Sequence, residues 1–179
     1  MVNTLVNTMV NTMKVAIISD THGVIAPSVL EQVGACDLCV HAGDIGGAQV
    51  LLDIEQTGVP VIAVLGNNDV AGKWPAAEAA LIDSIPQSQC VELPGGTLCV
   101  EHGHRVNPVS ARHEKLRSKY SAATAIVYGH SHHLVIDDSE FPWVLNPGAS
   151  GKSRTYGGPS CLLLTISTAR RWKIKVFRA

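Results

Sequence analysis

The sequence has little net charge, few aromatic residues and no long apolar run, and each of these deficits excludes a class of protein. Its 14 Lys and Arg nearly balance its 15 Asp and Glu, giving a formal net charge of -1. No general positive field is therefore present to attract nucleic acid or an anionic membrane. Only 4% of the residues are aromatic, too few for a surface on which bases of single-stranded nucleic acid stack. No run reaches the roughly 18 apolar residues that a membrane-spanning helix requires.

The remaining composition fits one folded domain. Hydrophobic residues make up 46% of the 179 residues, which excludes an intrinsically disordered chain. The first twelve residues repeat a four-residue unit, of which Val2-Asn3-Thr4-Leu5 is the first copy. They have neither the basic start nor the continuous apolar stretch of a signal peptide. We therefore predict a disordered or non-native extension over residues 1–12, dispensable for activity, and a single domain over residues 13–179.

The five cysteines indicate a reducing compartment. Their number is odd, and without a secretory signal they favour a cytoplasmic protein over a disulfide framework. Cys36 and Cys39 form a C-x-x-C pair, a spacing found in redox and zinc motifs. Cys39 lies within an apolar run and no second C-x-x-C follows, so we expect both to be small core residues.

Apolar runs bounded by Gly, Asp, Asn or Pro alternate with helical patterns, which predicts an α/β fold. The predicted strands are residues 15–19, 38–41, 59–65, 97–101, 124–128, 143–145, 161–166 and 172–177. The predicted helices are residues 26–33, 47–56 and 109–120. A short polar link joins the last two strands, which predicts an antiparallel hairpin and hence mixed sheet content.

Polar residues that can bind metals follow five consecutive predicted strands. They occur in the segments Ser19-Asp20-Thr21-His22-Gly23, Gly43-Asp44, Gly66-Asn67-Asn68-Asp69, His102-Gly103-His104 and Gly129-His130-Ser131-His132. Each segment alone is weak evidence, because an isolated Asp-x-His or His-x-His is more often part of a solvated loop. The carboxyl ends of strands in an open α/β sheet line one crevice, so together the segments predict a metal centre. The candidate ligands are Asp20, His22, Asp44, Asn67, His102, His130 and His132.

Seven ligands are too many for a single four-coordinate zinc ion, so the set predicts two divalent ions. The ligand atoms are nitrogen and oxygen without a thiolate, which favours manganese, iron, cobalt or zinc over calcium. Manganese is our first choice, and nickel and magnesium are further candidates. Two such ions, two carboxylates and a hydroxide carry a net charge of about +1. A chain without a basic surface could thereby bind a phosphate group.

In these residues the chain resembles the calcineurin-like metallophosphoesterase superfamily. It looks most like the compact prokaryotic phosphodiesterase branch of that superfamily. The resemblance extends from Lys14 to about Ser150. The resemblance implies a sandwich of two mixed β-sheets flanked by helices. It implies an enzyme that hydrolyses small phosphodiesters by attack of a metal-bridging hydroxide, and a homodimer is compatible with it. It also implies a division of the ligands. Asp20, His22 and His132 would hold one ion, Asn67, His102 and His130 the other, and Asp44 would bridge them.

One position departs from the larger members of that superfamily, which have His directly after the motif Asn. Here it is Asn68, whose neutral amide cannot protonate a leaving group near pH 7. We therefore expect alkoxide leaving groups to be expelled slowly relative to aryl groups. His104 is the nearest replacement for the missing acid, with a purely structural role as the alternative. Asn67, Asn68 and His104 are accordingly our candidate catalytic residues.

A non-catalytic scaffold on the same fold, mediating protein assembly, is the alternative to a hydrolase. Loss of metal ligands would favour the scaffold, and all seven positions here carry usable side chains. Gly151-Lys152-Ser153 resembles the end of a nucleotide-binding loop, but Asn146 stands where that loop requires its first Gly. The sequence is compatible with cyclic nucleotides, other small phosphodiesters and phosphomonoesters as substrates.

Overall fold

The structure, a computed structural model, describes residues 12–167, 169 and 171–179. The predicted extension over residues 1–12 therefore lies outside the described residues except for its last position. The strands are β1 (Met13–Ile18), β2 (Leu38–His41), β3 (Val61–Ala63), β4 (Ser88–Leu93), β5 (Gly96–Glu101), β6 (Ala125–Val127), β7 (Leu134–Asp137), β8 (Trp143–Pro147), β9 (Ser160–Ile166) and β10 (Trp172–Arg178). The α-helices are α1 (Pro27–Gly34), α2 (Ala48–Glu55), α3 (Ala79–Ile82) and α4 (Arg112–Lys119). None of the helices in this part of the chain is long and apolar enough to cross a bilayer.

The strands form two mixed five-stranded sheets. Their orders are β10-β9-β1-β2-β3 and β4-β5-β6-β8-β7. In the first sheet β1, β2 and β3 run parallel, and in the second β5, β6 and β8 do so. The predicted hairpin of β9 and β10 is antiparallel. The predictions of an α/β fold and of mixed sheets are therefore confirmed.

Strand β1 shows how the two sheets and the helices pack. Val15 and Ile17 point into an apolar cluster shared with residues of the second sheet, such as Leu98 and Leu145. Ala16 and its neighbours on the opposite face pack against α1 and α2 in a second cluster. A strand covered on both faces reads as a continuous apolar run without alternation. The molecule is thus a sandwich of two sheets flanked by helices, as the resemblance implied.

Strands β4 and β7 and helix α3 were not predicted. Strand β4 lies at the edge of its sheet, and its sequence of Ser, Gln, Cys, Val, Glu and Leu is too polar to indicate a buried strand. In the structure Cys90 on β4 lies opposite Cys99 on β5, and a disulfide joins them. The expectation that no cysteine is paired is wrong for these two, because only pairing of the unpredicted strand brings them together. Cys36 and Cys39 are free, and Cys39 is buried in the core as expected.

The two sheets bring five strand ends to one place. The loops after β1 and β2 are joined by hydrogen bonds from the Asp20 N–H to the Gly43 carbonyl and from the His22 N–H to the Asp44 carbonyl, each 3.0 Å. Loops of the second sheet reach the same region, since the His130 N–H donates to Asp20 Oδ2 at 3.0 Å. The predicted ligands therefore come from both sheets.

Candidate metal centre

The structure places the predicted ligands in two overlapping groups. In one group the ligand atoms of Asp20, His22 and His132 lie within 4.8 Å of one another, and in the other those of Asp20, Asp44 and His102 do. Asp20 belongs to both groups, whereas the resemblance implied that Asp44 is shared. Asp44 also faces both groups, with Oδ2 3.8 Å from His22 Nε2 and Oδ1 3.4 Å from His102 Nε2. Both carboxylates thus lie between the histidines of the two groups.

Asn67 and His130 lie at the edge of the second group. His130 Nδ1 is 2.9 Å from Asn67 Oδ1, and the centre of the His130 ring is 5.3 Å from that of His102. Both side chains are more exposed than the buried Asp20 and His102. All seven candidate ligands therefore converge on one region.

Three buried atoms of the candidate ligands have no hydrogen-bond partner among the described residues. They are His132 Nδ1, Asp20 Oδ1 and His102 Nε2, and the last two lie 4.0 Å apart. His102 Nδ1 donates to the Ala42 carbonyl at 2.8 Å, and this bond orients the ring with Nε2 toward the carboxylates. Buried polar atoms without partners are rare in folded proteins. Unpartnered imidazole nitrogen and carboxylate oxygen atoms are suitable ligands for divalent cations.

Burial and neighbouring groups shift the pKa values of these residues in different directions. Burial raises the pKa of Asp20 to about 7, against the opposing effects of His102 and Ser19. Burial also acts to raise the pKa of Asp44, but the nearby His102 imidazole and hydrogen bonds from Asn68 outweigh it and hold that pKa below its usual range. Burial lowers the pKa of His132 to about 4, with the charge of Arg154 acting in the same direction. Neutral imidazole and ionised carboxylate are the forms that bind metals, so the shifts of Asp44 and His132 favour metal binding, whereas that of Asp20 opposes it.

Five of the seven ligands have left-handed backbone conformations. Their φ angles are 53° for Asp20, 49° for His22, 54° for Asp44, 67° for His130 and 58° for His132. Residues with a Cβ rarely adopt this region, and each costs about 1 kcal/mol or more. Such strain persists where surrounding contacts impose it, and it is concentrated at functional sites. No sequence pattern indicated these conformations.

Two motif glycines permit the close approach of the loops. A Cβ at Gly66 would lie 2.2 Å from Asp44 Oδ1, and one at Gly129 would lie 1.9 Å from Ser19 Oγ. Both distances are far below van der Waals contact, so any larger residue would displace a carboxylate or the side chain that binds it. Glycine is therefore required in the G-N and G-H segments because the centre leaves no space for a Cβ atom.

Asp69 joins the loops that follow β2 and β3. Its carboxylate accepts hydrogen bonds from the backbone N–H groups of Ile45 (3.1 Å), Gly46 (2.9 Å) and Gly66 (2.8 Å) and from the indole of Trp74 (3.0 Å). It is buried and lies outside both ligand groups. Asp69 thus fixes the position of the loops that present Asp44 and Asn67.

Asn68 and His104, two of the candidate catalytic residues, have different surroundings. The backbone N–H of Asn68 donates to Asp44 Oδ1 at 2.8 Å, and its side-chain Nδ2 donates to Asp44 Oδ2 at 2.6 Å. Its Oδ1 accepts a hydrogen bond from Lys73, a contact that the sequence did not indicate. The His104 ring lies 5.5 Å from the His102 ring and 6.2 Å from the His130 ring. Asn68 therefore orients a ligand, whereas His104 stands beside the centre.

Other polar residues near the centre have separate contacts. His41 is buried and bonded to the Thr21 hydroxyl at 2.8 Å, as expected for a histidine that is not a ligand. His133 stacks on Tyr156, with ring centres 4.3 Å apart. Arg154 Nη2 lies 3.3 Å from His22 Nε2, which places a positive charge beside the first ligand group.

The sequence is similar to those of known proteins. Residues 13–169 match the family model of the calcineurin-like phosphoesterase superfamily domain. A probable metallophosphoesterase from Methanocaldococcus jannaschii is 28% identical over 76% of this chain and 68% of its own length. A phosphodiesterase from the same organism is 26% identical over 76% of this chain and 83% of its own length.

Solved structures show the same fold. Vps29 from Entamoeba histolytica aligns with a TM-score of 0.69 and 18% identity over 93% of this chain and 99% of its own. An archaeal phosphodiesterase aligns with a TM-score of 0.66 and 22% identity over 92% of this chain and 100% of its own. At these identities the similarity concerns the fold alone.

Proposed function

This chain belongs to the calcineurin-like phosphoesterase superfamily, and we propose that it is a dinuclear metal-dependent phosphodiesterase that hydrolyses small phosphodiesters. One observation carries the proposal. Buried Asp20 Oδ1 and His102 Nε2 lie 4.0 Å apart without partners among the described residues, where the two ligand groups meet. The archaeal relative that is named a phosphodiesterase gives further support.

The proposal assigns the seven candidate ligands to two divalent ions. Asp20, His22 and His132 would hold one divalent ion, and Asn67, His102 and His130 the other, with Asp44 between them. Two bound ions supply a hydroxide nucleophile at neutral pH and screen the charge of the phosphoryl oxygens.

The surrounding side chains hold this arrangement in place. Asn68 fixes both oxygens of Asp44, and the Ala42 carbonyl fixes the ring of His102. The guanidinium of Arg154, beside His22, would bind a phosphoryl oxygen through charge-assisted hydrogen bonds.

Metal-dependent hydrolysis of bis(4-nitrophenyl) phosphate tests the proposal. Protein stripped with a chelator should lose activity, and manganese should restore it, because the proposed hydroxide nucleophile depends on the bound ions. Elemental analysis of the natively purified protein should find a divalent metal. A fully metallated protein that is inert toward every phosphodiester and phosphomonoester tried would instead support the alternative, a non-catalytic metal-binding scaffold.

The identity of the leaving group should strongly affect turnover. Asn68 is committed to Asp44 and cannot donate a proton, so 4-nitrophenyl esters, whose leaving group needs no acid, should turn over faster than simple alkyl phosphodiesters. We expect a difference of at least about a hundredfold in kcat, the usual contribution of a general acid. His104→Gln tests the one nearby replacement. If His104 supplies the proton, that variant loses activity on alkyl esters only, and comparable wild-type rates on both ester types would contradict a missing acid.

Three finer points belong to the proposal as well. Manganese remains the first choice of metal because the ligands are nitrogen and oxygen atoms. A cytoplasmic location and a homodimer remain predictions. The disulfide between Cys90 and Cys99 offers a direct check on the location, since disulfides are rare in reducing compartments.

A further inference from the structure

A groove with a volume of about 320 Å³ adjoins the second ligand group. His102, His104 and Glu101 line it together with three basic residues, Arg105, Lys115 and Lys119. The lining comes from the ends of β4 and β5, the loop after β5 and helix α4. Because His102 is a candidate ligand, one arm of a phosphodiester held at the centre could extend into this groove.

The groove carries an excess of positive charge. Lys119 is paired with Glu101, which also accepts a hydrogen bond from the Tyr120 hydroxyl at 2.6 Å. Lys115 donates to the Asn107 carbonyl, and Arg105 is exposed. Within the described part of the chain, neither Lys115 nor Arg105 forms an ion pair with a carboxylate. Two uncompensated cations therefore share a concave surface in a chain whose net charge is -1.

We propose that this groove binds a second anionic group, a phosphate or a carboxylate, carried on one ester arm of the substrate. The inference rests on the proposed function only in placing the scissile phosphate at the ligand groups. Lys and Arg bind phosphate and carboxylate through charge-assisted hydrogen bonds, and the net positive charge of the groove attracts such a ligand. The substrate class is accordingly phosphodiesters with a further negative charge close to the scissile bond.

Equilibrium binding tests the groove without relying on turnover. The probes are thymidine 3′,5′-bisphosphate and thymidine 5′-monophosphate, titrated calorimetrically into the manganese-loaded protein. They differ by one phosphate, and we expect the bisphosphate to bind about tenfold more tightly or better, since a hydrogen bond to a charged group contributes this much. In Arg105→Gln and Lys115→Gln the ratio of the two affinities should fall, and in the double variant it should approach one.

A matched variant separates a local effect from a general change of charge. Lys173 is an exposed lysine on β10, at the far edge of the other sheet, and Lys173→Gln removes the same charge. The affinity ratio should be unchanged in this variant. An equal loss in Lys173→Gln would overturn the groove as the binding site, and so would equal affinity of the wild-type protein for both probes.

A pair of chromogenic esters connects the groove to catalysis. Thymidine 5′-(4-nitrophenyl phosphate) and its 3′-phosphorylated form share the leaving group and differ by the second phosphate. We expect kcat/KM to be about tenfold higher for the second ester, chiefly through KM. A protein that prefers the bisphosphate but hydrolyses neither ester would retain the groove and refute the proposed function. A protein that hydrolyses both esters equally and binds both probes equally would refute the groove and leave the proposed function standing.

Discussion

Asp44→Asn should reduce hydrolysis of bis(4-nitrophenyl) phosphate by about a thousandfold or more, a loss typical of removing a central charge-stabilising group. The substitution hardly changes shape, but it replaces one carboxylate oxygen with an NH₂ group that cannot bind a cation. The Asp44 oxygens lie 3.4 Å from His102 Nε2 and 3.8 Å from His22 Nε2, so both ligand groups would lose an anionic partner. Whichever oxygen is replaced, the new NH₂ would also meet an Asn68 N–H that now donates to Asp44.

A loss of activity caused by lost metal binding has to be distinguished from one caused by unfolding. Asp83→Asn, at an exposed position just after α3, is the matched control and should keep wild-type activity. Elemental analysis should show that Asp44→Asn retains less metal than the wild-type protein, while circular dichroism shows an unchanged fold. His130→Ala should also abolish activity, because it removes a ligand from the second ion. Full activity and full metal content in both variants would refute the metal centre.

The residues of this centre could be predicted because their positions follow from the order of the strands. Asp20 and Asp44 directly follow strands that run parallel in one sheet, and residues at such ends meet by topology alone. The apolar runs of β1 and β2 were clear, since strands buried on both faces leave no ambiguity. The sequence therefore sufficed to predict the class of fold and the strand ends at which the candidate ligands lie.

Other features depend on contacts between distant segments. The left-handed backbone at Asp20 and His130 is imposed by the loops around it, and local propensity would predict the opposite. Strand β4 is recognisable only from its pairing with β5 in the structure. The same pairing brings Cys90 and Cys99 together. The groove beside His102 forms because α4 packs against the second sheet, a placement that no motif in α4 indicated.

Gly129→Ala should disable the centre by steric displacement alone. Gly129 does not have a positive φ, so alanine is free to adopt its backbone conformation, but the added Cβ would lie 1.9 Å from Ser19 Oγ and 2.9 Å from Asp20 Oδ2. Ser19 Oγ donates to Asp20 Oδ2 at 2.7 Å, so displacing the hydroxyl also displaces a ligand shared by both groups. We expect activity to fall about a hundredfold, since small misplacements of reacting groups have effects of this size. The free energy of unfolding should fall by about 1–3 kcal/mol, as for other overpacked sites.

A second substitution, Ser19→Ala, removes the hydroxyl that the new methyl group contacts. It tests directly whether this contact causes the loss of activity. In Gly129→Ala/Ser19→Ala the closest contact is gone, so stability and activity should recover in part, and the double-mutant cycle should show a favourable coupling between the two positions. Recovery should be incomplete, because the Cβ would still lie 3.0 Å from the Ala42 carbonyl oxygen. Gly72→Ala is the matched control, since a Cβ there meets nothing within 4 Å, and it should leave activity unchanged. If Gly129→Ala were as active and as stable as Gly72→Ala, the loops could not be as close as the structure has them, and Ser19 could not be holding Asp20 in place as a ligand.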